Sequence, residues 1–246
     1  MPVNVPGRVL PSLTTVSVLA AVAALSSGCG VTDGGPHPGV AARLGGDTLS
    51  MQKVDDAVDD YCTLRASHPD AQPAARSEIR TEFVLGWAQA TAVDHLAPDY
   101  DVALPPKSID RAKVDAAWGE LGTIDEDNYD TFEWLTWIQE RLTTPVESLG
   151  SRKLEEENGE SQVGQPAIDR GIALVGEWLT DHEPELNPVF GVLDEKTGKF
   201  RGDALSVPVS KQATAGAGDQ DAAAIAKLPA DQRCGPAAAP AQAPPA

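Results

Sequence analysis

Apolar side chains recur along this chain at two different spacings, and the changes between them mark out its parts. From residue 40 to residue 50 the spacing is short: Val40 and Leu44 lie in a first run, Gly45-Gly46-Asp47 interrupts it, and Thr48-Leu49-Ser50 resumes it. That pattern predicts two short strands joined by a tight turn. From residue 51 the spacing lengthens. Met51, Val54, Val58, Tyr61 and Cys62 follow at steps of three and four, which places them on one face of a helix. Ser50 is the natural N-cap, since its hydroxyl can accept from an amide of the first turn. Asp55, Asp56, Asp59 and Asp60 take the opposite face and read as solvated.

Five more helical stretches follow. Residues 74–97 carry Ile79, Phe83, Trp87 and Ala90 on a common face. Pro105-Pro106 and Ser108 open a third, with Ile109, Val114, Ala117, Trp118 and Leu121 inward. A fourth spans roughly residues 125–142, where the opening acids suit the positive end of the helix dipole. Its apolar set, Phe132, Trp134, Leu135, Trp137, Ile138 and Leu142, covers more than half the circumference. Thr144-Pro145-Val146-Glu147 combines a cap, a first-turn proline and a capping-box glutamate, and so starts a fifth helix that ends before Asn158-Gly159. The sixth covers residues 166–182, with Ile168, Ile172, Val175 and Leu179 on its stripe.

Then the period shortens again. Residues 189–193 and Lys199-Phe200 flank Asp194-Glu195-Lys196-Thr197-Gly198 as a second hairpin, expected to join the first so that both ends of the fold meet in one sheet. The expected architecture is mainly α, about six helices with a small antiparallel sheet built from the N- and C-terminal hairpins. Beyond Pro208 the chain turns to Ala, Gly, Pro and Gln, and residues 211–246 form a tail too poor in large apolar groups to order itself.

Composition adds an address. With 19 basic and 37 acidic residues the net charge is -18, which argues against nucleic acid as a partner and against electrostatic docking on anionic lipid. Aromatics are only 5% of the chain, so the five tryptophans are expected to anchor the packing. The N-terminus supplies a membrane link of another kind. Arg8 is the only charge before Asp33, an apolar run spans residues 9–25, and Ser26-Ser27-Gly28 leads to Cys29. This order resembles a bacterial lipoprotein signal peptide with its lipobox, although Ser26 stands where the usual leucine would be and Leu25 lies one place further out. The resemblance implies that residues 1–28 are removed and that the Cys29 thiol carries diacylglycerol, which places the protein on the extracytoplasmic face of a cell membrane. An ordinary secretory signal and an uncleaved anchor are the alternatives. Residues 29–38 then serve as a flexible tether.

Export bears on the other cysteines. Setting Cys29 aside leaves Cys62 and Cys234, and outside the cytoplasm such a pair is oxidised as a rule. The other reading leaves Cys62 buried and Cys234 free.

Motifs for chemistry are scarce. There is no Gly-rich phosphate loop, no Gly-x-Ser-x-Gly and no Cys-x-x-Cys. His37, His68, His95 and His182 are scattered, and Asp125-x-Asp127 lacks the glycine and glutamate that a calcium loop needs. The residues call for no metal, cofactor or catalytic set. One sharper candidate remains: Trp118, Phe132, Trp134 and Trp137 can line an apolar groove for extended or unfolded chains, or they can be the helical core.

The run Val40-Ala41-Ala42-Arg43-Leu44-Gly45-Gly46-Asp47-Thr48-Leu49-Ser50-Met51-Gln52-Lys53-Val54-Asp55 resembles the N-terminal chaperone region of SurA and trigger-factor-related proteins. Asp60-Tyr61-Cys62, Asn187-Pro188-Val189-Phe190-Gly191, Leu205-Ser206-Val207-Pro208-Val209-Ser210 and Arg233-Cys234-Gly235 are similar to actinobacterial-type lipoproteins carrying that domain. The resemblance covers residues 39–210 and implies a chaperone-like scaffold that binds unfolded or exported polypeptides. SurA-like isomerases insert a parvulin domain before the returning C-terminal segment; residues 145–185 hold only two helices here. Peptidyl-prolyl isomerase activity is therefore not expected, nor any other enzyme activity. An envelope scaffold without client binding is the alternative. The anchor is directly testable: Cys29→Ala is expected to move the protein from the membrane fraction to the soluble one, and full retention in the membrane would overturn lipidation at Cys29.

Overall fold

Gly45 and Gly46 have φ of 59° and 94°, the left-handed pair that a two-residue hairpin turn between twisted strands demands. They join strand β1 (Val40–Leu44) to strand β2 (Asp47–Ser50), with Leu44 opposite Asp47 and Ala42 opposite Leu49. The computed structural model describes residues 38–68, 71–190, 192–193, 200–201, 225 and 228–235. Residues 1–37, where the signal peptide, Cys29 and most of the tether are expected, lie outside the described residues, as do residues 194–199 of the expected second hairpin, residues 205–210 and most of the expected tail. In chain order the fold continues with α1 (Met51–Ser67), β3 (Ala74–Ala75), α2 (Arg76–Leu96), α3 (Arg111–Trp118), α4 (Tyr129–Leu142), α5 (Thr144–Asn158), α6 (Gln165–His182), β4 (Glu185–Leu186), β5 (Val192–Leu193), β6 (Phe200–Arg201) and β7 (Arg233–Cys234). It is mainly helical with a small antiparallel sheet, as the periodicity predicts.

Helix α1 starts where expected, with Ser50 Oγ accepting from the Lys53 amide at 3.1 Å. Val54, Ala57, Val58, Cys62 and Leu64 are its buried face. The acidic face is not simply solvated. Asp55 pairs with Arg80 at 2.7 Å, Asp59 pairs with Arg76, and Asp60 accepts from Thr131 Oγ1 at 2.6 Å. Three of the four aspartates thus tie α1 to α2 and α4.

Helix α2 lies at the centre. Between Trp87 and Val93 only Gln89 escapes burial, which marks a helix packed on nearly every side. The alanines Ala88, Ala90 and Ala92, each at most 2% exposed, let neighbours approach its axis closely. Against it sits α4, which begins four residues later than the acids suggest. Asp125 forms a turn ahead of it, accepting from the amides of Asp127 and Asn128 at 3.1 Å. Helix α3 is capped by Asp110, which accepts from the Ala112 amide at 2.7 Å, rather than by Ser108. Ala117, expected inward, is exposed.

The start of α5 also differs from expectation. Thr143 occupies the cap position without a side-chain hydrogen bond. Glu147 leaves the capping box unmade and instead accepts from the Gly164 amide at 2.7 Å, where it holds the entry to α6. On α6 the buried stripe is Ala167, Gly171, Leu174, Val175 and Leu179, while Ile172 is 57% exposed. The cause is close helix packing. A Cβ on Gly150 would run into the Ala167 carbonyl, and one on Gly171 into the Val146 carbonyl, so the two glycines set the contact and rotate Ile172 out of it. Arg170 bridges the pair outside, bonding Glu157 at 2.8 Å and Glu177 at 3.0 Å. Its hydrogen bond holds the Glu157 carboxyl below the ordinary range. The contribution is present above the unfolded carboxylate pKa and is lost as pH falls through the lowered native value.

Two of the scattered histidines converge. The Trp178 ring stacks on His182 at 3.9 Å and on His95 of α2 at 5.2 Å. His95 also packs under the first turn, where a Cβ on Gly45 would stand 2.7 Å from its Nε2.

At the C-terminal side the sheet is closed differently from the expectation. Strand β4, not the second hairpin, pairs with β1, placing Leu186 opposite Ala42. Asn187 extends the join, its amide donating to Ala41 and its side chain to Val40. Among the described residues, strands β5 and β6 pair with each other and with no other strand. The end of the fold returns to α1 by another route: β7 pairs with β3, and Cys234 is disulfide-bonded to Cys62. A link across 172 residues is worth about 5 kcal/mol in the chain-entropy picture. Gly150→Ala and Gly171→Ala are each expected to lower stability by about 3 kcal/mol through forced separation of α5 and α6. Urea unfolding checks this, and a loss below about 0.5 kcal/mol would show that the helices do not meet at these glycines.

Candidate functional site

Helix α4 carries more apolar surface than one packed face consumes, and the structure divides it in two. Phe132 and Trp118 go to the core, at 0% and 8% exposure, with ring centres 5.4 Å apart. Trp118 Nε1 donates to Thr136 Oγ1 at 2.9 Å, and that hydroxyl donates to the Phe132 carbonyl at 2.6 Å, so the buried indole is satisfied inside the fold. Trp134 and Trp137, three residues apart on the same helix, remain half-buried. Of the four aromatic candidates, two are therefore core and two face a groove.

That groove has a volume of about 480 Å³. Trp87 of α2, 6% exposed, forms its floor beside Trp134 and Trp137. Lys53 of α1 lines it too, its ammonium 5.0 Å from the Trp134 ring centre in a cation–π contact. The segment before α3 contributes Lys107, and the first turns of α4 contribute Asp130 and Glu133. Neighbouring side chains hold the two indoles in place. Phe83 meets Trp134 edge to face at 6.3 Å. The Arg141 guanidinium lies 5.3 Å from the Trp137 ring centre; it is 1% exposed and fixed by Asp94 at 2.6 Å. Glu133 accepts from the Ser108 hydroxyl at 3.1 Å and from the Ile109 amide at 3.0 Å, pinning the segment that carries Lys107.

Three features of the groove point to binding. Its apolar floor can bury a guest side chain. Among the described residues neither Lys53 nor Lys107 has a carboxylate partner, whereas Lys113 and Lys153 do. The indole N–H groups of Trp134 and Trp137 likewise have no acceptor among the described residues.

Other parts of the surface offer less. A second cavity of about 430 Å³, lined by Asp101, Ser148, Ser151, Arg152 and Glu155 among others, has no aromatic wall. Among the described residues no group of three or more His, Cys, Asp or Glu side chains is placed to hold a metal. Glu82 of α2 is pushed above the ordinary carboxyl range, first by burial and then by Glu78, with Arg65 opposing.

The chain pattern exposes only part of this site. Trp134 and Trp137 were legible from their surplus on α4. Trp87 was placed on the core face of its helix, and it does both jobs. Lys53, Lys107, Asp130 and Glu133 carry no local signal, because they converge from a helix, a loop and a second helix. Core and groove aromatics should separate experimentally. Phe132→Ala is expected to cost about 3–5 kcal/mol as a cavity in the core, whereas Trp134→Ala should cost markedly less; equal losses by urea unfolding would place both in the core. Comparison of the chain with protein-family models, curated proteins and solved structures finds no match in any of the three.

Proposed function

We propose that this protein is a lipid-anchored extracytoplasmic lipoprotein whose helical domain binds extended polypeptide in the Trp134–Trp137 groove, acting as a chaperone-like holdase for exported chains. The observation that carries the reading is the groove itself: two partly buried indoles whose N–H groups have no acceptor among the described residues, beside a third indole, on helices. An extended chain offers what such a surface lacks, namely apolar side chains for the floor and backbone carbonyls for the donors. Lys53, Lys107, Asp130 and Glu133 at the edges give either end of a polar segment a counter-charge.

Two further features support the address. The residues around Cys29 have the order of a lipoprotein signal, and two acyl chains hold a protein at a membrane because each buried methylene adds about 0.8 kcal/mol. The Cys62–Cys234 bridge suits a compartment in which disulfides persist.

The test is client protection. At stoichiometric amounts the protein is expected to delay the light scattering of a denatured client, and Trp134→Ala with Trp137→Ala should remove most of that delay while the fold persists by circular dichroism. If the unmodified protein leaves aggregation unchanged but crosslinks to one stable envelope partner, the scaffold reading replaces the holdase one.

A further inference from the structure

The groove has a ready occupant in this chain's own sequence, an inference that rests on reading the groove as a polypeptide site. Residues 236–246 run Pro-Ala-Ala-Ala-Pro-Ala-Gln-Ala-Pro-Pro-Ala, with four prolines and no charged side chain. Proline fixes φ and removes a backbone donor. A segment so composed favours the polyproline II form, whose carbonyls have no partner within the segment. Aromatic-lined grooves receive such segments. Here Trp134 and Trp137 line the groove with apolar ring surface, and their N–H groups have no acceptor among the described residues. The four charged groups at the groove, Lys53 and Lys107 against Asp130 and Glu133, cancel, so an uncharged strand meets no opposing local field even in a chain of net charge -18.

The tether makes the match specific to this segment. The Cys62–Cys234 bond and the β3–β7 pairing fix the start of the segment on α1. Lys53, at the groove, lies on the same helix nine residues before Cys62, about 14 Å along the axis and half a turn round it, on the opposite face. Eleven residues in polyproline II reach about 34 Å. That length exceeds the axial rise together with the half-turn round α1, so the segment can reach the groove, at an effective concentration on the order of millimolar.

We propose that residues 236–246 bind the Trp134–Trp137 groove in cis and act as a resident competitor that a client must displace.

The test uses the full chain and a fluorescein-labelled peptide with the sequence of residues 236–246. In one variant Pro236, Pro240, Pro244 and Pro245 are all replaced by Gly, which leaves the folded domain untouched. By anisotropy the peptide is expected to bind this variant at least about tenfold more tightly than the unmodified chain, where the tethered copy competes. Adding Trp134→Leu and Trp137→Leu to the variant should abolish binding. As a second route, Cys234→Ser in the otherwise unmodified chain should release the tether and raise peptide affinity. Equal affinity for the unmodified chain and the Gly variant, or no binding to either, overturns the proposal. So does a Gly variant that binds a proline-free unfolded peptide but not the tail peptide, an outcome that leaves the holdase reading standing. Tail-peptide binding with the expected difference, but no effect of the protein on client aggregation, would retain this proposal and remove the holdase reading.

Discussion

The packing of α2 through its alanine waist is the constraint on which the rest of the molecule depends. Because Ala88, Ala90 and Ala92 present almost no side chain, β1, α4 and α6 can all approach one axis. The helix has no polar face left to solvate along that stretch, and Thr91 is buried with its neighbours. Large residues return at its earlier turns as Phe83, which meets Trp134 edge to face, and Trp87, which lines the groove. The same helix therefore makes a tight core at one end and, with α1 and α4, an open aromatic groove at the other. Fold and candidate site are two consequences of how side-chain size is graded along α2.

Polar ties finish what this packing begins. Arg141 is almost wholly buried, an arrangement that is costly unless the charge is paired, and Asp94 of α2 supplies the partner at 2.6 Å. One guanidinium nitrogen, Nη1, still has no hydrogen-bond acceptor; the face of the cation is instead set over Trp137. The ion pair thus fixes α4 on α2 and also fixes the orientation of an indole at the groove. Asp55, Asp59 and Asp60 do comparable work from α1, and this is why a helix with four aspartates can lie against the body of a strongly acidic protein.

Much of the fold was legible because local rules and tertiary packing agree. Gly45-Gly46 could make only a tight turn, Ser50 caps as its position demands, and six amphipathic stretches become six helices. The departures arise where a distant partner outbids a local one. Glu147 abandons its own helix end for the Gly164 amide, and Asp110 displaces Ser108 as a cap because Ser108 is bonded to Glu133. Ile172 satisfies the helical stripe but loses its place to Gly171, since periodicity records which residues are apolar and not how closely two backbones approach. The sheet went the same way: β4 is only two residues long, with no alternation to read, yet Asn187 beside it completes the join to β1. Of the aromatic candidates, spacing alone could not separate Phe132 from Trp134, which differ by two positions and so fall on different sides of the helix once α2 and α3 have taken theirs.

The incomplete burial of Trp134 and Trp137 is the feature that a purely structural account leaves unexplained. Apolar area held in water forgoes roughly 25 cal/mol per Å² that burial would contribute, and tryptophan has more such area than any other side chain. Phe132, Leu135 and Ile138 are the fully buried apolar side chains of α4, whereas the two indoles pack on the core only in part. The indoles are nevertheless held in fixed orientations, Trp134 by Phe83 and Lys53, and Trp137 by Arg141 and through it Asp94. Supporting groups that orient an exposed aromatic gain little for the empty fold. They lower the ordering cost of whatever binds there, since a preformed surface has less freedom left to lose. A pair of rings held in place yet incompletely buried is consistent with selection for an occupant, and a segment tethered through Cys234 to α1 would meet that surface at a far higher effective concentration than any free chain at low concentration.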